Sequence, residues 1–470
     1  METKKTLLEN LRPPIVTILG HVDHGKTTLL DFIRETNVAK KEVGGITQRI
    51  GASVVETKEG KKITFIDTPG HAAFAKMRSR GASVADIAVL VVAGEEGIKP
   101  QTQEALNFIL DAKIPYIVAV TKIDLPTASI DNVRSQFEKT GISFEGRGGD
   151  VPLVGVSSRT GKGVEILLDL IALTSEVYGL KGNSEEPLEA VVIETGKDKR
   201  GSTTSVVVKS GKLTIGQDVV SENVKARIRG IFNFKGESVR EVFPGEPALI
   251  LGFKEPPIVG SRIWTASEKE NLAVLVKDKI VTPMTEGKMS IILKTQSAGS
   301  VEAIISNIPS EVLVVSSGVG DVTEGDIFLA KSTSSSIFAF EAKVPLSVSK
   351  LAENEGVKIE SFNIVYELFE RLEEIVEEGI VEIKGKAEII AIFSYDGKSV
   401  AGCKVTLGKI LKMDKLTLFR EMEEVGKVKI ISMKKGKQDI QEAKQGEECG
   451  ILFAPQLDFR VSDMLISVRK

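Results

Sequence analysis

The eight residues Gly20-His21-Val22-Asp23-His24-Gly25-Lys26-Thr27 leave this chain few folds to choose from. They follow an apolar run at 15–19 and precede a helix-like stretch that begins at Thr28 and runs to Arg34. In that setting the pattern G-x-x-x-x-G-K-[ST] is a phosphate loop. Its glycines let the backbone curl so that successive N–H groups, and the start of the next helix, face phosphate oxygens. Lys26 is then placed to reach the β and γ phosphates, and the Thr27 hydroxyl to bind Mg²⁺.

Such a loop needs a parallel sheet behind it. Apolar runs at 15–19, 63–66, 87–92, 116–120 and 153–156 read as buried parallel strands, with helical patterns at 102–110 and Ile130–Lys139 between them. That alternation predicts an α/β domain with a parallel-rich sheet. Past a polar linker at 178–186, short β runs with Gly turns (189–194, 203–209, 218–220, 226–231, 248–251) suggest a small barrel ending near Trp264. An α/β texture returns at 268–359, then an amphipathic helix at 362–378, then β runs to the end. The expected organisation is a GTP-binding domain over 1–180, a β-barrel over 187–267, and a third α/β domain over 268–360. A connector helix over 361–380 and a C-terminal β-barrel over 381–470 complete it.

Two fragments after strands decide which nucleotide is bound. Asp67-Thr68-Pro69-Gly70 offers a carboxylate to the Mg²⁺ shell and a glycine N–H to the γ-phosphate. Thr121-Lys122-Ile123-Asp124 places a carboxylate that can accept both the N1–H and the N2 amine of guanine. Adenine lacks those donors, and a buried acceptor pair should reject it by roughly 10⁴-fold or more. The cofactor is therefore expected to be GTP/GDP with Mg²⁺. Ser157-Ser158-Arg159, also after a strand, would bring a backbone N–H to the guanine O6.

With 62 basic and 65 acidic residues the chain is near neutral, which argues against a histone-like protein or an acidic tail. The last ninety residues carry 17 basic and 13 acidic groups, the best electrostatic match to a polyanion in the chain. Only 2 Cys and 3 His occur, too few cysteines for a disulfide framework, so a reduced cytoplasmic setting is expected. The first residues lack the apolar core of a signal peptide, and no apolar run approaches the ~18 residues that span a bilayer. Taken alone, two cysteines on strands read as core residues and a lysine pair as solvated surface.

Gly20 to Thr27 as GHVDHGKT, Gly44-Gly45-Ile46-Thr47-Gln48, and Asp67 to His71 as DTPGH resemble the translational GTPases. The longer runs DTPGHAAFAKMRSRGA (67–82) and EVGGITQRIG (42–51) are similar to bacterial-type translation initiation factor two, as are Ala401-Gly402-Cys403 and Glu448-Cys449-Gly450 near the end. The resemblance covers nearly all of the chain from Arg12 onward. It implies that Thr47 closes over Mg²⁺ when the γ-phosphate is present, that Lys122 packs along the guanine face, and that His71 orients the attacking water. Lys26, Thr47 and His71 would thus serve hydrolysis, and Thr27, Thr47 and Asp67 the metal. His21 and His24 would shape the loop, alongside Gly20, Val22, Asp23, Gly25 and Thr28.

The same resemblance implies a ribosome-stimulated GTPase acting in the cytoplasm as a monomer. It would bind formylmethionyl initiator tRNA, place it on the small ribosomal subunit and promote joining of the large one. Cys403, Lys434, Lys435, Glu448, Cys449 and Gly450 would line the pocket for the formylmethionyl end. Two alternatives are a ribosome-bound GTP switch that no longer carries tRNA, and an elongation factor for aminoacyl-tRNA. The chain departs from the family pattern at Thr121, where Asn is usual, and at 94–97, 294–300, Gln217, Lys435 and Gly436.

Overall fold

The computed structural model describes residues 12–469 except 37–46, 49, 223, 267–288, 380–381, 396–397, 421–422 and 437. The segment Gly44-Gly45-Ile46, and most of the 42–51 run, lie outside the described residues. The chain divides into two compact units, residues 1–369 and 370–470.

The first unit begins with a six-stranded sheet in the order β2-β3-β1-β4-β5-β6. Its strands are β1 (Ile15–Gly20), β2 (Gly51–Glu56), β3 (Lys62–Asp67), β4 (Ile87–Ala93), β5 (Tyr116–Thr121) and β6 (Leu153–Gly155). All neighbours run parallel except β2, an antiparallel edge strand that its half-exposed sequence does not announce. β1 and β4 are buried along their whole length, because helices cover both faces of the sheet. The helices are α1 (Lys26–Arg34), α2 (Ala75–Val84), α3 (Pro100–Ala112), α4 (Ile130–Lys139) and α5 (Val164–Val177). Strand order reverses around β1, so the loops after β1 and β3 open into the crevice where such sheets bind ligands.

An antiparallel eight-stranded sheet follows, built on the long hairpin Glu189–Asp198 with Gly201–Ser210. It closes around a Val- and Ile-rich core that includes Val192, Val206, Val208, Ile231 and Ile250. The run expected as one strand at 226–231 is two, Val224–Arg227 and Gly230–Phe232. A four-stranded parallel sheet then carries the helices Ala298–Asn307, Glu324–Ser332 and Leu346–Glu355. Its departure segment, 294–300, is a helix start: Ser297 Oγ accepts the Ser300 N–H at 3.2 Å, and Lys294 pairs with Asp326 at 3.1 Å.

Polar contacts join these parts of the first unit. Asp86 accepts from Arg12 at 2.6 Å and from Lys209 at 2.9 Å. Glu194 Oε1 accepts the N–H groups of Thr195 at 2.9 Å and Gly299 at 3.1 Å. The helix Val365–Gly379 begins at the end of this unit, with Val365 and Leu368 fully buried.

The second unit is an antiparallel barrel-like sheet in which Glu382–Tyr395 pairs with both Lys398–Leu411 and Met464–Arg469. Its core contains Ile389, Cys403, Met433, Cys449, Ile451 and Phe453. Among the described residues no helix is long and apolar enough to cross a membrane.

Candidate nucleotide and tRNA sites

A cavity of about 430 Å³ opens at the carboxyl end of β1, β3 and β5. Val22, Asp23, Gly25, Lys26, Thr27 and Thr28 line it from the phosphate loop, and Thr47, Gly70 and His71 from the two following segments. Thr121, Lys122, Asp124, Ser158 and Arg159 close the opposite end, together with Leu125, which sequence reasoning did not single out. Gly20, His21, His24, Asp67 and Ser157 are not on its wall. Gly20 has φ +148°, and a Cβ there would lie 2.3 Å from the Val91 carbonyl oxygen, so only glycine lets β1 turn into the loop.

At the phosphate end, the buried Lys26 ammonium donates to the His21 carbonyl at 2.5 Å. Burial pushes its pKa down to about 8, with Asp67 holding it up in part. A Cβ on Gly70 would lie 2.3 Å from Lys26 Nζ, so the segment after β3 runs directly against the lysine head, and a larger residue there would displace that ammonium. Asp67 is buried, its Oδ1 has no hydrogen-bond partner among the described residues, and burial raises its pKa to about 6. The hydroxyls of Thr27 and Thr47 lie 3.0 Å apart. Two hydroxyls and an unpartnered carboxylate oxygen are the hard donors that Mg²⁺ prefers.

At the base end, Asp124 accepts from Ser157 Oγ at 2.7 Å and pairs with Arg159 at 2.8 Å. The Ser157 hydrogen bond, and then the arginine charge, hold its pKa below the usual carboxylate range. A carboxylate has about four lone-pair directions, so it can keep Ser157 and still accept two guanine donors. Arg159 is mostly exposed and free to swing aside. Lys122 pairs with Glu95 at 2.7 Å, so the unusual 94–97 loop supplies the counter-charge that steadies this lysine.

Thr121, where Asn is usual in the family pattern, makes a different contact. Its hydroxyl turns to the main chain: it donates to the His24 carbonyl at 2.6 Å and lies 3.3 Å from that of Val92. His24 is fully buried in edge contact with His21, ring centroids 5.0 Å apart, and burial pushes its pKa down to about 4.

His71 is also buried, and its pKa is pushed down to about 4, first by burial and then by Arg78. Its Nδ1 accepts the Ala73 N–H at 3.2 Å, which places the ring proton on Nε2. Sequence reasoning missed Arg78, a fully buried guanidinium that donates to the carbonyls of Pro69 and His71 and pairs with Glu104. It fastens the segment after β3 from below.

Residues 12–176 match the family described as Elongation factor Tu GTP binding domain, 187–266 Elongation factor G domain 2, and 265–373 Translation-initiation factor 2. Translation initiation factor IF-2 of Thermotoga petrophila is 40% identical over 97% of this chain and 70% of its own length. That of Dehalococcoides mccartyi is 38% identical over 97% of this chain and 82% of its own. The chain belongs to the translation initiation factor IF-2 family. It is a translational GTPase. Among solved structures, GDP-bound aIF5B from Aeropyrum pernix is similar at 27% identity, over 97% of this chain and 92% of that one, with a TM-score of 0.48.

In this IF-2 family member the second unit brings together most of the other residues singled out in the sequence. A cavity of about 750 Å³ is lined by Cys403, Cys449, Gly450, Glu448 and Lys434, with Ile390, Phe393 and Leu452 adding apolar wall. Cys403 and Cys449 are cross-strand partners, and both thiols are buried, which pushes their pKa values up, that of Cys449 to about 11. They are therefore neutral, compact, polarizable groups at neutral pH. Lys435 is not on this cavity: it pairs with Glu447 at 2.8 Å. Gly436, which stands where a larger residue is usual, has φ +62° in the turn after Lys435. The local backbone favours glycine there.

Proposed function

We propose that this IF-2 family chain carries formylmethionyl initiator tRNA to the small ribosomal subunit in its GTP form and promotes joining of the large subunit. Ribosome-stimulated hydrolysis then releases it. What supports this reading is the presence, in one chain of this family, of a cavity with Lys26 and Asp124 on its wall and a second cavity walled by the buried thiols Cys403 and Cys449 beside Lys434 and Glu448. A thioether and a formylated amine carry no charge, and that cavity offers apolar and thiol wall, with Lys434 and Glu448 among its lining residues.

The domains proposed for these tasks are 1–180, 187–267, 268–360, the connector 361–380 and 381–470. In the first, phosphate-loop N–H groups and Lys26 hold the phosphates, while Thr27, Thr47 and Asp67 hold Mg²⁺. The metal, when bound, neutralises charge on the β and γ oxygens. Gly70 meets the γ-phosphate, His71 orients the attacking water, Lys122 covers the guanine face, and the Ser158 and Arg159 segment approaches its O6. An ordered loop lost with the γ-phosphate is the switching step. The setting is cytoplasmic and the factor works as a monomer.

The test is equilibrium binding of formylated and unformylated initiator tRNA, with GTP and with GDP, at one stated salt concentration. Tighter binding of the formylated form is expected. Equal, weak binding of both would favour a ribosome-bound GTP switch without tRNA.

A further inference from the structure

Both segments that flank the γ-phosphate position touch the start of one helix. Gln48, next to Thr47 and buried, uses its side-chain amide twice there. Its Oε1 accepts the Val365 N–H at 3.1 Å, and its Nε2 donates to the Asn363 carbonyl at 2.7 Å. A helix start leaves its first N–H groups without partners in the helix, and here a side chain some 300 positions away supplies one. His71, next to Gly70, lies against Tyr366 with ring centroids 3.7 Å apart and planes tilted by 56°. The imidazole also meets Phe74 in an edge contact, ring centroids 6.0 Å apart, and Nδ1 is occupied by the Ala73 N–H. Every one of these contacts must break or shift for the ring to turn.

We propose that Tyr366 is a positioning residue for His71: its ring holds the imidazole in this packed orientation until the ribosome rearranges the site, and so restrains hydrolysis in the free factor. Tyr366 touches no expected substrate atom and is itself half-exposed, so the fold does not need it as core. The Gln48 contacts make the restraint sensitive to the nucleotide, because the segment carrying Thr47 and the segment carrying His71 share one anchoring point. The inference rests on the proposed role of His71 in orienting water.

The chain contains only 3 His, so a spectrum of the full-length protein with ¹³C-labelled histidine rings resolves His71 directly. Ring current from Tyr366 should shift its signals, and Tyr366→Ala should abolish that shift while Tyr366→Phe keeps it. An aromatic pair corresponds to about a 3- to 10-fold population bias. Tyr366→Ala should therefore raise ribosome-free GTP hydrolysis about 3- to 10-fold in kcat, with KM unchanged. Tyr366→Phe should behave as wild type, and the rise should vanish in a His71→Ala background. An unchanged kcat in Tyr366→Ala, or a rise that persists without His71, overturns the proposal. The underlying reading is judged separately: it fails if His71→Ala retains full ribosome-stimulated hydrolysis.

Discussion

The Thr121 hydroxyl donates to the main-chain oxygen of His24 at 2.6 Å. A residue at the end of β5 thereby holds the loop after β1. The bond ties the strand end that carries Asp124 to the loop that carries Lys26, and so helps to fix that loop's path. Pre-set loops bind more tightly because less ordering is left to do on binding.

Thr121→Val keeps the shape and deletes the donor, leaving a buried carbonyl short of a partner at a cost of about 1–3 kcal/mol. Part of that cost falls on the bound state's loop geometry. Affinity for both GTP and GDP should weaken by about 5- to 30-fold, equivalent to about 1–2 kcal/mol. Titration with a fluorescent guanine nucleotide reads it directly. An unchanged affinity would mean that the loop is held without this bond.

Asp124→Asn replaces an acceptor oxygen by a donor at the expected base edge. Guanine presents donors there and xanthine presents an oxygen, so preference should move from GTP towards xanthosine triphosphate. A reversal worth several powers of ten, roughly 10⁴-fold or more, is the scale for a matched hydrogen-bonding site. Competition between the two triphosphates checks it; retained GTP preference would place the base elsewhere.

The pH dependence of the nucleotide domain has two opposed contributions. Buried His24 and His71 both titrate near 4 when folded, below the ordinary value of 6.5. Between these limits the unfolded chain binds protons that the folded chain refuses. Their stabilisation is thus complete above about pH 6.5 and drains away as pH falls through 4. Asp67, raised from 3.8 to about 6, works the other way, and its contribution is lost as pH rises through 6. His24→Gln removes one of the two histidine contributions. Hydrogen-exchange protection of the Ile15–Gly20 amides, followed from pH 7 to 4.5 and corrected for intrinsic rates, should fall less steeply in the variant. Identical slopes would assign the dependence to other groups.

The parts of this molecule that could be read along the chain are those whose causes are local. Strands buried on both faces appear as unbroken apolar runs, so β1, β3, β4 and β5 stand within a residue or two of their expected places. The phosphate loop and the two strand-end motifs likewise carry their chemistry in consecutive residues. Arg78 was not legible, because its meaning lies in carbonyls that fold over it and in Glu104 on the next helix. Nor was Glu95, whose partner Lys122 is brought near only by the pairing of β4 with β5. The Gln48 contacts join positions separated by more than 300 residues, and nothing in either segment announces the other. Lys435 shows the reverse limit: its neighbour Lys434 lines the sulfur-walled cavity while Lys435 does not, since alternate residues of a strand face opposite ways.

That alternation yields a contrast between two adjacent lysines. Lys434 lies on the cavity wall, where the acceptor end of a bound tRNA would bring its phosphates, whereas the Lys435 ammonium pairs with Glu447 at 2.8 Å. A lysine that neutralises one phosphate on binding releases about 0.7–0.9 of a counterion. Lys434→Gln should therefore reduce the slope of log affinity against log salt by about that amount and weaken formylated and unformylated initiator tRNA alike. Lys435→Gln should change neither, because Lys435 is not on the wall of that cavity. Filter binding of both tRNA forms across a salt series, in the full chain with GTP, measures both quantities. Should Lys435→Gln carry the larger slope change, the tRNA backbone would run along the other face of this sheet, and the sulfur-lined cavity would lose its place in the reading.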